Sequence, residues 1–214
     1  MPSRMVPFVN DEYYHIFNRG VARMPIYNNA FDYRHFLNTV IYYRNDGPKP
    51  RFSFFRNQPL PLDKNRKIVD IVCYCLMPNH FHFMLRQKRE NGITEFVSKV
   101  SNSYTKYFNV KNKRVGPLLQ GEFKSVHVES NEQLLHLSRY IHLNPLIGYV
   151  VKELDLYRWS SYHEYLGLKE GICSKDEVIG QFKSTKDYER FVLDQVDYAR
   201  RLDFIKHELL DLEE

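Results

Sequence analysis

Four short runs rich in β-branched and aromatic residues predict the strands of this chain. They span Tyr13–Arg19 and approximately residues 68–76, 80–87 and 123–129. Gly20 ends the first run, and Pro78 and Asn79 supply turn chemistry between the second and the third. We therefore expect a turn to join these two central strands.

Two segments follow the 3.6-residue period of an amphipathic helix. The first runs from Asn29 to about Arg44, and Asn28 or Asn29 can cap its start. The second, Ile93–Phe108, is the clearest helix, because its apolar and aromatic residues form one stripe. Between them, residues 51–67 are predicted to form a basic loop.

A third helix is predicted to begin at Asn131. Ser130 and Gln133 form a capping box, Ser-x-x-Gln, which satisfies backbone N–H groups in the first helical turn. We expect this helix to fray near Asn144, because Pro145 restricts the backbone of the residue before it.

The order of these elements predicts an α+β fold, with an antiparallel sheet and helices on one face, close to the ferredoxin-like pattern. Trp159 and the tyrosines near it are expected to close the core. Residues 172–214 are predicted to be helical. We expect a domain of residues 1–165 and a helical C-terminal extension of residues 166–214.

Composition limits the class of protein. The chain has 214 residues, of which 43% are hydrophobic and 15% aromatic, enough for one globular domain with a core. No apolar run approaches the length of a membrane span, and the first residues lack a secretory h-region, so we expect a cytoplasmic protein without a membrane partner. Cys73 and Cys75 are interpreted as buried small residues; a metal half-site is the weaker alternative, since no second thiol pair completes it.

The net charge of +5 is unevenly distributed. Residues 1–154 contain 22 Lys and Arg against 12 Asp and Glu, whereas residues 155–214 contain 9 against 14. The body therefore carries +10 and the remainder −5. A basic body indicates a polyanionic partner, although such an excess also occurs on ordinary solvated surfaces.

Two histidines in the third strand are candidate metal ligands. Because side chains alternate along a strand, His80 and His82 share one face, while Phe81 and Phe83 lie on the other and are expected to join the core. Neutral imidazoles on one face can converge on a divalent cation. The alternative is a pair of half-exposed histidines that bind nothing.

The helix from Asn131 carries a second candidate group. His136, Tyr140 and Asn144 are four residues apart and lie in one row. The Asn144 side chain offers a carbonyl oxygen, a possible third ligand. The Tyr140 hydroxyl, with an ordinary pKa of about 10, needs electrostatic help to act as a nucleophile. The alternatives are a surface-packed tyrosine and a helix C-cap before proline.

A His-x-His strand followed by a helix with the sequence Tyr-Ile-His-Leu-Asn-Pro at residues 140–145 resembles the single-tyrosine HUH transposases. The resemblance is closer to the REP-associated tyrosine transposases, which are similar to transposases of the smallest single-strand insertion sequences. It covers roughly residues 10–165. Three further stretches agree with it: residues 14–20, 76–80 and 120–125.

This resemblance implies an HUH endonuclease fold and Mg²⁺- or Mn²⁺-dependent cleavage of single-stranded DNA near a hairpin. By position, His80, His82 and Asn144 are implied to be metal ligands. Tyr140 is implied to be the nucleophile, which becomes joined to a 5′-phosphate while a 3′-hydroxyl leaves. Many insertion-sequence relatives have Gln as the third ligand, so Asn144 favours the REP-associated branch. Mg²⁺ prefers oxygen ligands, and zinc is the competing metal because two histidines bind it tightly.

Basic residues on the second helix, at its exit and on the fourth strand are predicted to bind DNA through phosphate contacts. They are Lys99, Lys106, Lys111, Lys113, Arg114 and Lys124. The expected partner is single-stranded or hairpin DNA. The pattern leaves open whether the protein is a monomer or a homodimer, and whether Tyr140 meets the histidines of its own chain.

Two other functions remain compatible with the sequence. One is a non-catalytic nucleic-acid-binding module on the same sheet, in which Tyr140 is structural. The other is a histidine-based RNA-processing nuclease, with His80, His82 or His127 as acid and base. An EDTA-sensitive covalent adduct on single-stranded DNA is expected only for the transposase-like enzyme.

Overall fold

The computed structural model describes residues 7–46, 51–55 and 66–196. Ten residues of the predicted basic loop, 56–65, and the end of the predicted helical extension, 197–214, lie outside the described residues. The elements that build the sheet and its covering helices are β1 Tyr13–Arg19, α1 Ala30–Tyr43, β2 Val69–Met77, β3 His80–Gln87, α2 Gly92–Lys111, β4 Lys124–Val128 and α3 Asn131–Ile147.

The four strands form one sheet in the order β2-β3-β1-β4, and each neighbouring pair is antiparallel. This is the strand order that a ferredoxin-like chain of the type βαββαβ adopts, so the predicted α+β fold is confirmed. In this register Arg19 lies opposite His80 and Phe17 lies opposite His82. On the other side of β1, Lys124 lies opposite Phe17.

The first helix pair covers one face of the sheet. Alternation along β1 and β3 directs Ile16, Phe81 and Phe83 to this face, where they join one core cluster with Phe36 of α1 and Phe96 of α2. Trp159 packs against this cluster, with its ring 4.6 Å from the Tyr33 ring, as expected. We call the other side of the sheet the His80 face, since it carries His80 and His82.

The His80 face is covered in part by α3, whereas the sequence predicted helices on one face only. The reason is β2, whose residues are buried on both faces apart from Asp70, and such a strand needs cover on both sides. Cys73 and Cys75, both fully buried free thiols, pack in the second core cluster with Ile141 of α3. Their interpretation as buried small residues is confirmed.

Helix α3 continues to Ile147, so the prediction that it frays near Asn144 is wrong. Pro145 removes one backbone donor, but its neighbours Leu146 and Ile147 are buried in the second core cluster. Gly148 N–H also donates to the Asn144 carbonyl at 2.8 Å, which closes the last turn. Tertiary packing therefore overrides the local effect of proline, and Asn144 lies within the helix.

Residues 154–196 pack on the outer side of α3. They contain the short helices α4 Tyr162–Tyr165, α5 Asp176–Ile179 and α6 Thr185–Leu193. Tyr188 of α6 and Ser161 each form a 2.7 Å hydrogen bond with the buried His142 ring. The division between residues 165 and 166 stays a prediction. Among the described residues, no helix is long and apolar enough to cross a membrane.

Candidate active site

The candidate site lies on the His80 face, at the margin of α3. This helix packs mainly on β2, so among the described helices none covers the β1 and β4 half of the face, which we call the open half; Val126 there is 56% exposed. Tyr140 stands at this margin with 42% of its surface exposed. The centroid of its ring lies 5.6 Å from that of His82 and 6.0 Å from that of His15, all within one chain.

The His80 ring is oriented by Asn79, which belongs to the turn between β2 and β3. The His80 Nδ1 atom lies 2.6 Å from the Asn79 side-chain oxygen, so Nδ1–H donates and the lone pair of the neutral ring is on Nε2. Burial lowers the pKa of His80 to about 4; a hydrogen bond with Asn144 opposes this shift, and the charge of Arg19 adds to it. His80 is therefore neutral at neutral pH.

Asn144 is oriented by its own helix. Its side-chain nitrogen donates to the Tyr140 carbonyl at 2.7 Å. Asn144 also acts on His80 in the direction that raises the pKa of the ring, which favours its charged form. Asn144 and His80, two of the predicted ligands, are therefore neighbours where α3 packs on β3.

His15, on β1, is a site residue that the sequence analysis missed. Its Nε2 atom lies 2.9 Å from Nδ1 of His82, so one of the two rings donates to the other. Burial lowers the pKa of His15 to about 4 and the pKa of His82 well below its usual value, with His80 and His15 adding to the effect on His82. A lone histidine in a strand carries no sequence signal; only the β1–β3 register brings it to His82.

The donor set fits a divalent cation. His80 and His82 are neutral imidazoles, and Asn144 offers an amide oxygen; histidine nitrogens and amide oxygens are established ligands of divalent metals. No group of three or more His, Cys, Asp or Glu side chains among the described residues has the arrangement of a metal site. A site here therefore depends on Asn144 and on oxygens supplied by substrate or water.

His136, which shares the row of Tyr140 and Asn144, does not join the site. It lies one turn before Tyr140, where its Nδ1 atom is 2.5 Å from an Arg139 guanidinium nitrogen and its ring faces Phe191. The helical row thus separates into two parts, with Tyr140 and Asn144 at the sheet and His136 on the surface.

The six predicted DNA-binding cations fall in two places. Lys124 is on β4 and, by register, on the same face as Phe17 and His82. The other five are on α2 or in the loop that follows it, and α2 packs on the opposite face. That loop returns to the site end of the sheet, because Leu118 accepts from Val21 N–H just beyond β1.

Several of these cations already have partners within the chain. Lys99 forms an ion pair with Glu95 at 2.6 Å, and Lys111 forms one with the buried Asp32 at 2.5 Å. The Arg114 guanidinium donates to the Asn109 side chain and to the Pro117 carbonyl. Lys111 is thus held in a structural contact.

The chain thus combines a ferredoxin-like sheet, a strand with two histidines (β3) and a helix that carries Tyr140 (α3). Residues 62–144 match the model of the family described as IS200-like transposases. This segment contains both strand histidines, Tyr140 and Asn144, so the resemblance predicted from the sequence is confirmed. Over this segment the chain is similar to IS200-like transposases.

Among solved structures, a REP-associated tyrosine transposase bound to a REP hairpin is 14% identical, and the match covers 83% of this chain and 93% of that one with a TM-score of 0.56. At this identity, the match establishes a common fold. A transposase candidate from Deinococcus radiodurans R1 is 13% identical over 65% of this chain and 95% of its own, with a TM-score of 0.38, too low to support an argument. No curated protein sequence matches the chain.

Proposed function

We propose that this protein is a metal-dependent endonuclease and strand transferase for single-stranded DNA, acting near hairpins through a 5′-phosphotyrosine intermediate. The observation that carries the proposal is the convergence of Tyr140 with His82 and of Asn144 with His80 at the margin of α3 on one sheet face. A hydroxyl nucleophile beside neutral side chains that can bind a metal is a constellation that can carry out phosphodiester transfer.

In the proposed reaction, the Tyr140 oxygen attacks the scissile phosphorus in line with the leaving 3′ oxygen. The bond from the tyrosine oxygen to phosphorus forms as the bond from phosphorus to O3′ breaks. The phenolic proton passes to water, and the leaving oxygen takes a proton from water, so a 3′-hydroxyl and a 5′-phosphotyrosine remain. Attack on the phosphotyrosine by another 3′-hydroxyl reverses the same bonds and joins two strands.

His80, His82 and Asn144 would hold the divalent ion, either Mg²⁺ or Mn²⁺. When bound, such an ion polarises the phosphodiester and stabilises charge on its oxygens. The chain prepares its ligands in advance: the hydrogen bond to Asn79 fixes the tautomer of His80, and burial keeps the imidazoles unprotonated. The Asn144 side chain is held by the carbonyl of Tyr140 itself, which couples the ligand to the nucleophile.

A hairpin substrate is supported by two observations. The REP-associated transposase that shares this fold is bound to a REP hairpin. The segment that follows α2, with Lys113 and Arg114, also returns to the end of the sheet that carries His80, where it can bind phosphates of a paired stem.

The position of His127 argues against its role as the acid or base of a histidine-based RNA nuclease. By register this residue lies opposite Tyr14, whose side chain faces the α1–α2 side of the sheet, away from His80 and His82. Its Nε2 atom lies 3.1 Å from a carboxylate oxygen of Glu12. It therefore does not share a face with either strand histidine as an acid–base pair.

The decisive test compares the wild-type protein with Tyr140→Phe on single-stranded hairpin oligonucleotides in the presence of Mn²⁺. Phenylalanine cannot attack phosphorus, so we expect cleavage and the covalent adduct to disappear while hairpin binding persists. Mass spectrometry of the wild-type adduct should map a 5′-phosphotyrosyl peptide to Tyr140, and EDTA should prevent its formation.

Tyr149→Phe is the matched control, because Tyr149 is exposed just beyond the end of α3. This variant should form the adduct at the wild-type rate. An adduct that persists in Tyr140→Phe, or that maps to another tyrosine, refutes the mechanism.

A further inference from the structure

An aromatic side chain lies on the open half of the His80 face without cover from α3. Phe17 of β1 is half-buried, and its ring centroid lies 5.8 Å from that of His82 and 4.7 Å from that of His15. The exposed Val126 follows on the adjacent edge strand, opposite His15. Phe17 and Val126 thus form an apolar strip beside the candidate ligands, on β1 and β4.

Two cations flank this strip. Arg19 is exposed and lies directly opposite His80, and its charge contributes to the lowered pKa of that histidine. Its Nε–H donates to the neutral Gln120 side chain at 2.5 Å, which orients the guanidinium. Lys124 is exposed on the other side of Phe17. Neither cation forms an ion pair with any residue of the described ranges.

An apolar strip bordered by cations that have no ion-pair partner among the described residues is complementary to one kind of ligand. Aromatic rings bind nucleobases by stacking, and cations bind the phosphates that link them. A base inside a duplex is stacked on both sides by its neighbours, whereas an unpaired base can place its face on a protein ring. The positive charges of Arg19 and Lys124 favour a polyanion over an apolar protein segment.

We propose that Phe17, Arg19 and Lys124 form a subsite for an unpaired nucleotide of the DNA strand beside Tyr140. The base stacks on Phe17, and Arg19 and Lys124 bind the phosphates on either side of it. The location relative to Tyr140 rests on the proposed function, which it extends by assigning where the single strand lies next to the reacting phosphate.

The test measures binding by fluorescence anisotropy in EDTA, so that no cleavage occurs. The probes are a single-stranded thymidine oligonucleotide and a strand of equal length made of abasic residues, which keeps the phosphates and removes the bases. We expect the wild-type protein to prefer the thymidine strand by roughly 5- to 150-fold, the range that one stacked base provides. In Phe17→Ala this preference should fall close to one.

Arg19→Gln separates the two kinds of contact. It should weaken binding of both probes by a similar factor and flatten the salt dependence, because only a phosphate contact is lost. Phe31→Ala and Arg34→Gln are matched controls: Phe31 is 70% exposed, Arg34 lies over its ring, and both are on α1, across the sheet from the site. Neither control should change the preference for bases.

Two results would overturn the subsite: a wild-type preference that survives in Phe17→Ala, or an equal loss in Phe31→Ala. This failure is distinct from failure of the proposed function. A Tyr140 adduct together with an unchanged preference in Phe17→Ala refutes the subsite alone. Loss of the preference in Phe17→Ala without any adduct supports the base-binding surface and refutes the enzyme.

Discussion

The proposed ligands on β3 are kept neutral by burial rather than by a charged partner. His80 has a pKa lowered to about 4, and His82 is shifted in the same direction. Each ring also has one nitrogen in a hydrogen bond, with Asn79 or with His15. Such outer partners fix ring orientation before a metal arrives, and in characterised metal sites their loss lowers metal affinity by roughly 10- to 100-fold.

For single residues, we predict that His80→Ala and Asn144→Ala each weaken Mn²⁺ binding by at least about tenfold. Loss of a ligand should lower the metal affinity at least as much as loss of the residue that orients it. Isothermal titration calorimetry measures the affinity, and far-UV circular dichroism checks that the fold persists. His136→Ala is the control, since His136 shares the helical row but lies outside the site. Undiminished Mn²⁺ binding in both ligand variants would remove the basis for a metal at this position.

At the scale of the elements, the start of α1 contacts the end of α2. Asn29 caps α1 with its side chain, and Asp32 in the first turn is buried against Lys111 in the last turn of α2. Burial raises the pKa of Asp32, but hydrogen bonds, chiefly from Lys111, outweigh this and the pKa is lowered. Lys111 is therefore engaged in the contact between α1 and α2, which makes it less available to bind DNA phosphates.

We predict opposite consequences for two lysines that are neighbours in sequence. Lys111→Ala leaves the Asp32 carboxylate buried without its cation, and should lower the free energy of unfolding by about 1–3 kcal/mol. Lys113→Ala removes an exposed charge, and should change stability by less than about 0.5 kcal/mol while weakening DNA binding. Urea denaturation and hairpin binding at two salt concentrations measure both effects. Equal destabilisation by the two substitutions would contradict this assignment.

The described residues form two cores, one on each face of the sheet, and residues 154–196 pack against α3 in the second. His142 lies at the centre of this contact, fully buried between Tyr188 and Ser161. Burial lowers its pKa to about 3. Between pH 3 and pH 6.5 the unfolded chain therefore binds a proton at this histidine that the folded protein does not.

It follows that the metal-free protein should lose stability as the pH falls below about 6.5. Stability should be complete above that pH and decline by up to about 1.4 kcal/mol per pH unit for each such histidine. His15, His80 and His82 contribute with the same sign. His142→Gln should flatten the decline measured by urea denaturation between pH 7 and pH 5. An unchanged slope in this variant would show that His142 titrates normally in the fold.

Local interactions by themselves determined much of this protein. The bounds of β1, the cap of α3 at Ser130 and the common face of His80 and His82 follow from residues close together in the chain, and all three agree with the structure. The same local patterns singled out Tyr140 and Asn144, because the 3.6-residue period fixes their spacing whatever the rest of the chain does.

Only the tertiary structure decided which distant residues meet. The register of β1 against β3 brings His15 to His82 and Arg19 to His80, and no local pattern encodes a pairing across more than sixty residues. Likewise, α3 continues past Pro145 and covers the His80 face because both sides of β2 are apolar and must be buried. Local propensity is weaker than this burial, so the margin of α3 at which Tyr140 stands was fixed by packing.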